Sequence, residues 1–212
     1  MYTVLVVDDS PFIVDIFVTM LERGGYRTAS AYSGKECLTL LRSLSPDLIL
    51  LDIMMEPMDG WITLMEIKNN PVTRMIPVLM LTAKQLTPAE AQQYGIYIED
   101  YIMKPITHRE LYTAIEHVLE QKKTREGDIE MARRAGVDEA LIGEYTRLSK
   151  SVDINRRLIS LIESTYHVGG KETGEARMSE EIEFAVKSMM MNITFQEERL
   201  RQIKDTFAKS GS

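Results

Sequence analysis

Asp8 and Asp9 directly follow the apolar run TVLVV, Asp52 follows LILL, Thr82 follows VLML, and Lys104, with Pro105 behind it, follows YIM. Burying an ionised carboxylate is costly unless it is paired or bound to metal. An apolar run that halts at Asp52 therefore puts that acid at the end of a buried element, facing something. Three carboxylates gathered at one rim would repel one another, so the arrangement calls for a cation among them. Hard oxygen donors at an open edge suit Mg²⁺ with several retained waters, and Lys104 offsets part of the remaining charge.

The elements that must position these residues can be read from the pattern. Short β-branched runs at 2–7, 28–32, 47–51, 76–81 and 97–103 alternate with amphipathic helical stretches. Three of the runs are apolar almost throughout, as expected when helices cover both faces of a parallel sheet. Ser10 followed by Pro11, and Ser33 further on, read as helix N-caps. Gly24 and Gly25 close the first helix. Five βα units predict a doubly wound α/β fold, and in such sheets the ligand site lies outside the carboxyl ends of the strands. The five polar residues above all fall at those ends.

With these residues in place, the segments VLVVDDS, LLDIMMEPMDGW, VLMLTAK and DYIMKPI give the first 122 or so residues a pattern that resembles the receiver domain of two-component response regulators. The resemblance implies a flavodoxin-like, five-stranded parallel sheet of order 2-1-3-4-5. It makes Asp52 the phosphoryl acceptor, Asp9 a direct Mg²⁺ ligand, Asp8 a ligand through water, and Met54 a ligand through its backbone carbonyl. Lys104 would contact the phosphoryl group, Thr82 would swing its hydroxyl toward it, and Tyr101 is similar to the family's switch aromatic. Pro105 would follow a cis peptide bond. Met54 and Lys84 occupy positions that in this family tune access of the hydrolytic water. One departure is that Glu56 stands where the family commonly has proline, with Pro57 one place later, while Gly60 keeps its usual distance.

Past the fifth strand a helical pattern runs on to Gly136, and the rest of the chain is helical in period. Leu141, Tyr145, Leu148, Val152, Asn155, Ile159, Ile162 and Tyr166 step by four and three, as do Ile182, Val186, Met189, Ile193, Gln196, Leu200, Ile203 and Phe207. Both series are heptad seams, joined by the glycine-bearing connector at 167–177. The expected organisation is a receiver domain over 1–123 and an all-α hairpin or bundle over 124–212, with helices at about 138–166 and 178–209. Leu158, Leu161, Phe184, Met190 and Phe195 fall off the seams and need a further helix or a second chain to cover them.

Composition narrows the function. The net charge is −7, with −5 over residues 1–123 (11 basic, 16 acidic) and −2 over 124–212 (14 basic, 16 acidic), so neither half has the bulk positive charge typical of a nucleic-acid binder. One cysteine, Cys37, excludes an internal disulfide and a cysteine-based zinc site. No apolar run is long enough to span a bilayer, and the opening MYTVLVVDDS does not read as a signal peptide. No membrane association and a cytoplasmic location are expected. The resemblance implies a response regulator that takes a phosphoryl group from a sensor histidine kinase onto Asp52 with Mg²⁺. It would be a phosphoacceptor that assists its own phosphorylation and dephosphorylation rather than an enzyme. The helical region would pass the state on by homodimerisation through the C-terminal helices or by binding a downstream protein. The alternative is a DNA-binding transcription regulator with an unrecognised helical output domain. Kinase, signal and target are not encoded in any motif.

Overall fold

The computed structural model describes residues 1–83, 90, 93–167 and 180–210, with the side chains of 161, 164–167 and 180–182 outside that description. All but the first residue of the connector expected at 167–177, and most of the helix expected between the fourth and fifth strands, lie outside the described residues, as does Lys84. The chain divides into two compact units, Met1–Thr87 with Tyr97–Lys122 and Pro88–Ile96 with Lys123–Ser212.

In the first unit, β1 (Thr3–Val7), β2 (Arg27–Ala31), β3 (Leu48–Asp52), β4 (Val78–Thr82) and β5 (Asp100–Met103) form one sheet of order β2-β1-β3-β4-β5. All four pairings are parallel. Helices α1 (Pro11–Arg23), α2 (Gly34–Leu40) and α3 (Gly60–Asn69) connect the strands, and α4 (His108–Arg134) follows β5. The strand order reverses between β1 and β3, which fixes the ligand crevice at their carboxyl ends.

The apolar strands earn their places by burial on both faces. Val4, Val6, Leu48, Leu50, Leu79 and Leu81 pack with Val14, Phe17 and Leu21 of α1 and with Leu111, Ile115 and Val118 of α4. Residues of the other parity, Leu5, Val7, Ile49, Leu51, Val78 and Met80, are buried as well, as expected when side chains alternate across a covered sheet. Each such side chain contributes roughly 1.5–3 kcal/mol relative to exposure. Cys37 is buried in α2, and burial pushes its thiol up to about 12. The fifth strand is shorter than its apolar pattern suggests, because Gly95–Tyr97 forms a 3-10 turn ahead of it.

The second unit contains the later part of α4 together with α5 (Glu139–His167) and α6 (Glu180–Ser210). Helix α4 ends in a Schellman arrangement, with Val137 N–H donating to Ala132 O, Gly136 N–H donating to Arg133 O, and Gly136 at φ +73°. Asp138 then accepts a hydrogen bond from Ala140 N at 2.7 Å and starts α5. Helices α5 and α6 run antiparallel, since Tyr145 meets Phe207 with ring centroids 5.3 Å apart and Arg156 pairs with Glu197. Both seams face inward. Leu141, Tyr145 and Leu148 join Leu200, Ile203 and Phe207 in one cluster, and Val152, Ile159 and Ile162 join Val186, Met189 and Ile193 in another. The side chains of Tyr166 and Ile182 lie outside the described residues. Arg199 grips Glu144 bidentately at 2.7 and 2.8 Å, and Arg125 reaches Asp153 at 3.0 Å.

Candidate functional site

The end of β3 sets the centre of the site. Asp52 is the last residue of that strand, and its carboxylate is 4% exposed. The parallel register that aligns Val7 with Leu51 brings Asp8 beside it, also 4% exposed. Lys104, directly after β5, reaches across with Nζ 2.7 Å from Asp52 Oδ1 and 2.5 Å from Asp8 Oδ2. Its own backbone N–H donates to Thr82 O at 2.8 Å, which extends the β4–β5 ladder to the site. Lys104 precedes a cis peptide bond to Pro105, as the resemblance implied.

Around this core the loops tie in. Asp8 Oδ1 accepts from Ser10 N–H at 2.9 Å, an Asx turn that presents the first acid. Ser10 is at the N-cap position of α1 with extended backbone, but its side chain makes no capping hydrogen bond, and Ile13 N–H donates to the Ser10 backbone carbonyl at 3.0 Å. Asp9 is exposed, and its Oδ2 accepts from Glu56 N–H at 3.2 Å, joining the loop after β1 to the loop after β3. The bond from Glu56 to Pro57 is cis. Asp59 caps α3 by accepting from Ile62 N–H at 2.8 Å. Behind Asp52, an added Cβ at Gly60 would stand 2.1 Å from Asp52 O and 2.7 Å from Ile53 Cα. The start of α3 thus presses on the strand end, a contact that needs glycine and that the sequence showed only as a spacing.

Burial holds the Asp52 carboxyl above its usual range, reinforced by the Asp8 charge and opposed by Lys104 and by the Met54 backbone N–H. Thr82 is fully buried at the end of β4, Tyr101 in β5 is 7% exposed, and the Met54 side chain is 60% exposed. The structure therefore brings Asp8, Asp52 and Lys104 into direct contact, places Asp9 on the adjoining loop, and sets Thr82 on β4, next to β3, and Tyr101 on β5 beyond it. Among the described residues, no three carboxylate, imidazole or thiol groups close on a common point. The donor set nevertheless fits a hard cation: Asp8, Asp9 and Asp52 offer carboxylate oxygens at one rim, and Met54 offers a backbone carbonyl two residues beyond Asp52.

The fold and its acidic strand-end rim define a doubly wound α/β domain of the CheY-like kind. The chain belongs to the response regulator receiver domain family, whose model matches residues 4–116. A second model, described as metanogen output domain 2, matches residues 121–211. The alkaline phosphatase synthesis transcriptional regulatory protein PhoP of Bacillus subtilis is 31% identical over 141 residues, 66% of this chain and 58% of that protein. The N-terminal domain of a response regulator receiver protein from Methanoculleus marisnigri JR1 is 72% identical, covering 56% of this chain and 97% of that one, with a TM-score of 0.49. Chemotaxis protein CheY4 of Vibrio cholerae is 27% identical over 56% of this chain and 98% of its own, with a TM-score of 0.53. Among the first curated relatives the chain spans 28% to 58% of their length. The receiver-domain match supports two-component signalling, and receiver domains generally bind Mg²⁺ at their acidic site. Among the described residues, no helix is long and apolar enough to cross a membrane.

Proposed function

We propose that this protein is a phosphorylation-controlled response regulator in which residues 1–123 receive the signal and residues 124–212 transmit it. The observation that carries the reading is the buried Asp52 carboxylate held 2.7 Å from Lys104 beside Asp8. A carboxylate oxygen of Asp52 attacks the phosphorus of the donor phosphohistidine, the P–N bond breaks, and the imidazole leaves with the bonding pair and takes up a proton. Phosphoryl transfer of this type needs alignment and charge neutralisation more than covalent help. Asp8, Asp9, Asp52 and the Met54 carbonyl would hold Mg²⁺, which when bound supplies part of that neutralisation. Lys104 supplies the rest, turning from its carboxylate partners to the phosphoryl oxygens.

The phosphorylated residue carries roughly −1.5 to −2 charges and strong acceptors. The Thr82 hydroxyl answers them from the neighbouring strand, and Tyr101 repacks into the space that Thr82 leaves. The protein is then a phosphoacceptor that assists its own phosphorylation and dephosphorylation, working in the cytoplasm. The helical region transmits the state by homodimerisation or by engaging a downstream protein, a reading supported by the two inward-facing seams and by the output-domain match.

The test is mass spectrometry of the full-length protein after acetyl phosphate treatment with Mg²⁺. One phosphoryl group on wild type and none on Asp52→Ala is the expected result. Addition without Mg²⁺, or on the Asp52→Ala variant, sinks the assignment.

A further inference from the structure

Helix α6 carries two apolar faces. Val186, Ile193 and Ile203 lie in the clusters shared with α5, but Phe184, Met191 and Phe195 are 74%, 76% and 76% exposed. At 3.6 residues per turn these three fall within about 40° of one another and roughly 180° from Val186 and Ile193. Ser188 continues the line, so that 184, 188, 191 and 195 repeat the four-three-four spacing of a helix-pairing seam. Single exposed apolar residues are ordinary; three large ones in a stripe mark an interaction surface.

The spacing of the stripe reads the same in both directions. A two-fold axis between Met189 and Met190 sets Phe184 against Phe195 of the partner subunit, and Ser188 against Met191 of the partner subunit. That reciprocity is what an isologous contact between two copies requires. Between Phe184 and Phe195 the one charged residue is Lys187, and the same axis sets it against Asn192 of the partner subunit; one seam position further out, Glu181 falls against Glu198 of the partner subunit, a like-charge pair that weakens the contact at its two ends. Three large side chains offer on the order of 450 Å² per chain, or about 900 Å² in a dimer. This is below the lower end of stable specific interfaces, about 1,200 Å², and falls in the range of weak, transient association.

We infer that α6 pairs antiparallel with α6 of a second copy through Phe184, Met191 and Phe195, forming a reversible dimer. This rests on the proposed transmitting role of the helical region and names its surface and geometry.

The experiment is light scattering of the full-length protein across a concentration series, with and without beryllofluoride and Mg²⁺, on wild type and on Phe184→Glu/Phe195→Glu. The expected result is a concentration-dependent dimer for wild type in at least one of the two states, and a dissociation constant raised at least tenfold in the variant. Both substitutions are on an exposed face, and phosphorylation of Asp52 in the variant reports that the receiver unit is intact. Disulfide trapping gives the geometry, because Cys37 is buried and its thiol is held protonated. Mixed Phe184→Cys and Phe195→Cys chains should link to each other, whereas Phe184→Cys chains alone should not. In the antiparallel pair two copies of position 184 are about 16 Å apart along the helix, beyond the roughly 7 Å limit between disulfide-linked Cα atoms.

A wild type that stays monomeric in both states overturns the inference, as does preferential linking of Phe184→Cys to itself. A variant that dimerises like wild type also overturns it, while leaving dimerisation of the helical region standing on another surface. Phosphorylation of Asp52 is read in the same samples, so failure at the receiver site is seen separately.

Discussion

The ammonium of Lys104 lies 2.7 Å from the carboxylate of Asp52, with both side chains largely shielded from water. Removing the cation leaves Asp52 and Asp8 as adjacent buried acids with no counter-charge, which raises the cost of ionising either. It also removes a preplaced charge from the position where, in the proposed mechanism, the phosphoryl oxygens arrive. Lys104→Ala should therefore slow phosphorylation by acetyl phosphate roughly 100-fold, the scale for losing one preorganised charge-stabilising group. Stopped-flow or quenched time courses with Mg²⁺ give the rate directly, and a rate within twofold of wild type would remove Lys104 from the mechanism.

The buried Asp52 carboxyl should leave a signature in stability against pH. Its folded pKa is raised above the unfolded value near 3.9, chiefly by burial. The group's contribution to stability is fully present below the unfolded value and is lost as pH rises through the folded one. At neutral pH the ionised side chain thus weighs against folding, and Asp52→Asn should raise the melting temperature of the receiver unit. For a unit of this size a gain of about 1 kcal/mol corresponds to about 4 °C. Calorimetry at a series of pH values should show the gain shrinking toward zero as pH falls through the carboxylate range.

Gly60→Ala should damage the site without touching its chemistry. The new methyl would stand 2.1 Å from Asp52 O, against backbone that cannot swing away like a side chain. Overpacking of this kind costs about 1–3 kcal/mol, and the strain falls on Asp52, the proposed phosphoacceptor. Both thermal stability and phosphorylation rate should drop. Gly25→Ala is the contrasting control: Gly25 has φ +82° and nothing within 4 Å of an added Cβ, so it should lose some stability while phosphorylating normally.

Met54 stands two residues beyond Asp52 with its side chain 60% exposed at the rim. A bulky apolar group there hinders an incoming water, whereas a short amide both makes room and offers hydrogen bonds to it. Met54→Asn should shorten the lifetime of the phosphorylated state by up to roughly tenfold, equivalent to about 1.4 kcal/mol in the hydrolysis barrier. A decay time course of purified phosphoprotein checks this, and an unchanged lifetime would show that Met54 does not control water access.

Much of this was legible in the sequence because single residues obeyed simple rules. Asp8, Asp52, Thr82 and Lys104 each end an apolar run, and parallel strands in a covered sheet leave such ends on one rim. The seam residues from Leu141 to Ile162 and from Val186 to Phe207 were readable because a period of 3.5 admits one inward face. What escaped depended on tertiary competition. Ser10 looked like a capping side chain, yet it makes no capping hydrogen bond, and the tie between Asp9 and Glu56 joins residues 47 positions apart. Off-seam residues were equally opaque: Leu158 is 3% exposed and Phe195 76%. Nothing in their local pattern distinguishes them, since coverage of a second helix face depends on which neighbour arrives.

Tyr145 offers the sharpest test of the helical unit. Its ring packs edge-on to Phe207, its hydroxyl donates to Asp128, and Lys204 both pairs with Asp128 at 3.1 Å and stands 5.6 Å from the Tyr145 ring centroid. Tyr145→Phe keeps the packing and deletes one hydrogen bond to a charged acceptor, which should cost roughly 1.5–3 kcal/mol at neutral pH. Burial, followed by the hydrogen bond to Asp128 and then the Asp128 charge, holds the phenol's pKa above its ordinary value. With the folded pKa raised, the stability contributed by the hydroxyl is complete below the unfolded value near 10 and is lost above it, because there the unfolded chain releases the proton first. Urea titrations should thus show a gap between wild type and Tyr145→Phe that is constant from neutral pH to about pH 9 and narrows beyond pH 10. A gap that is already absent at neutral pH would mean that the Asp128 contact contributes nothing and that packing against Phe207 alone accounts for the tyrosine's role.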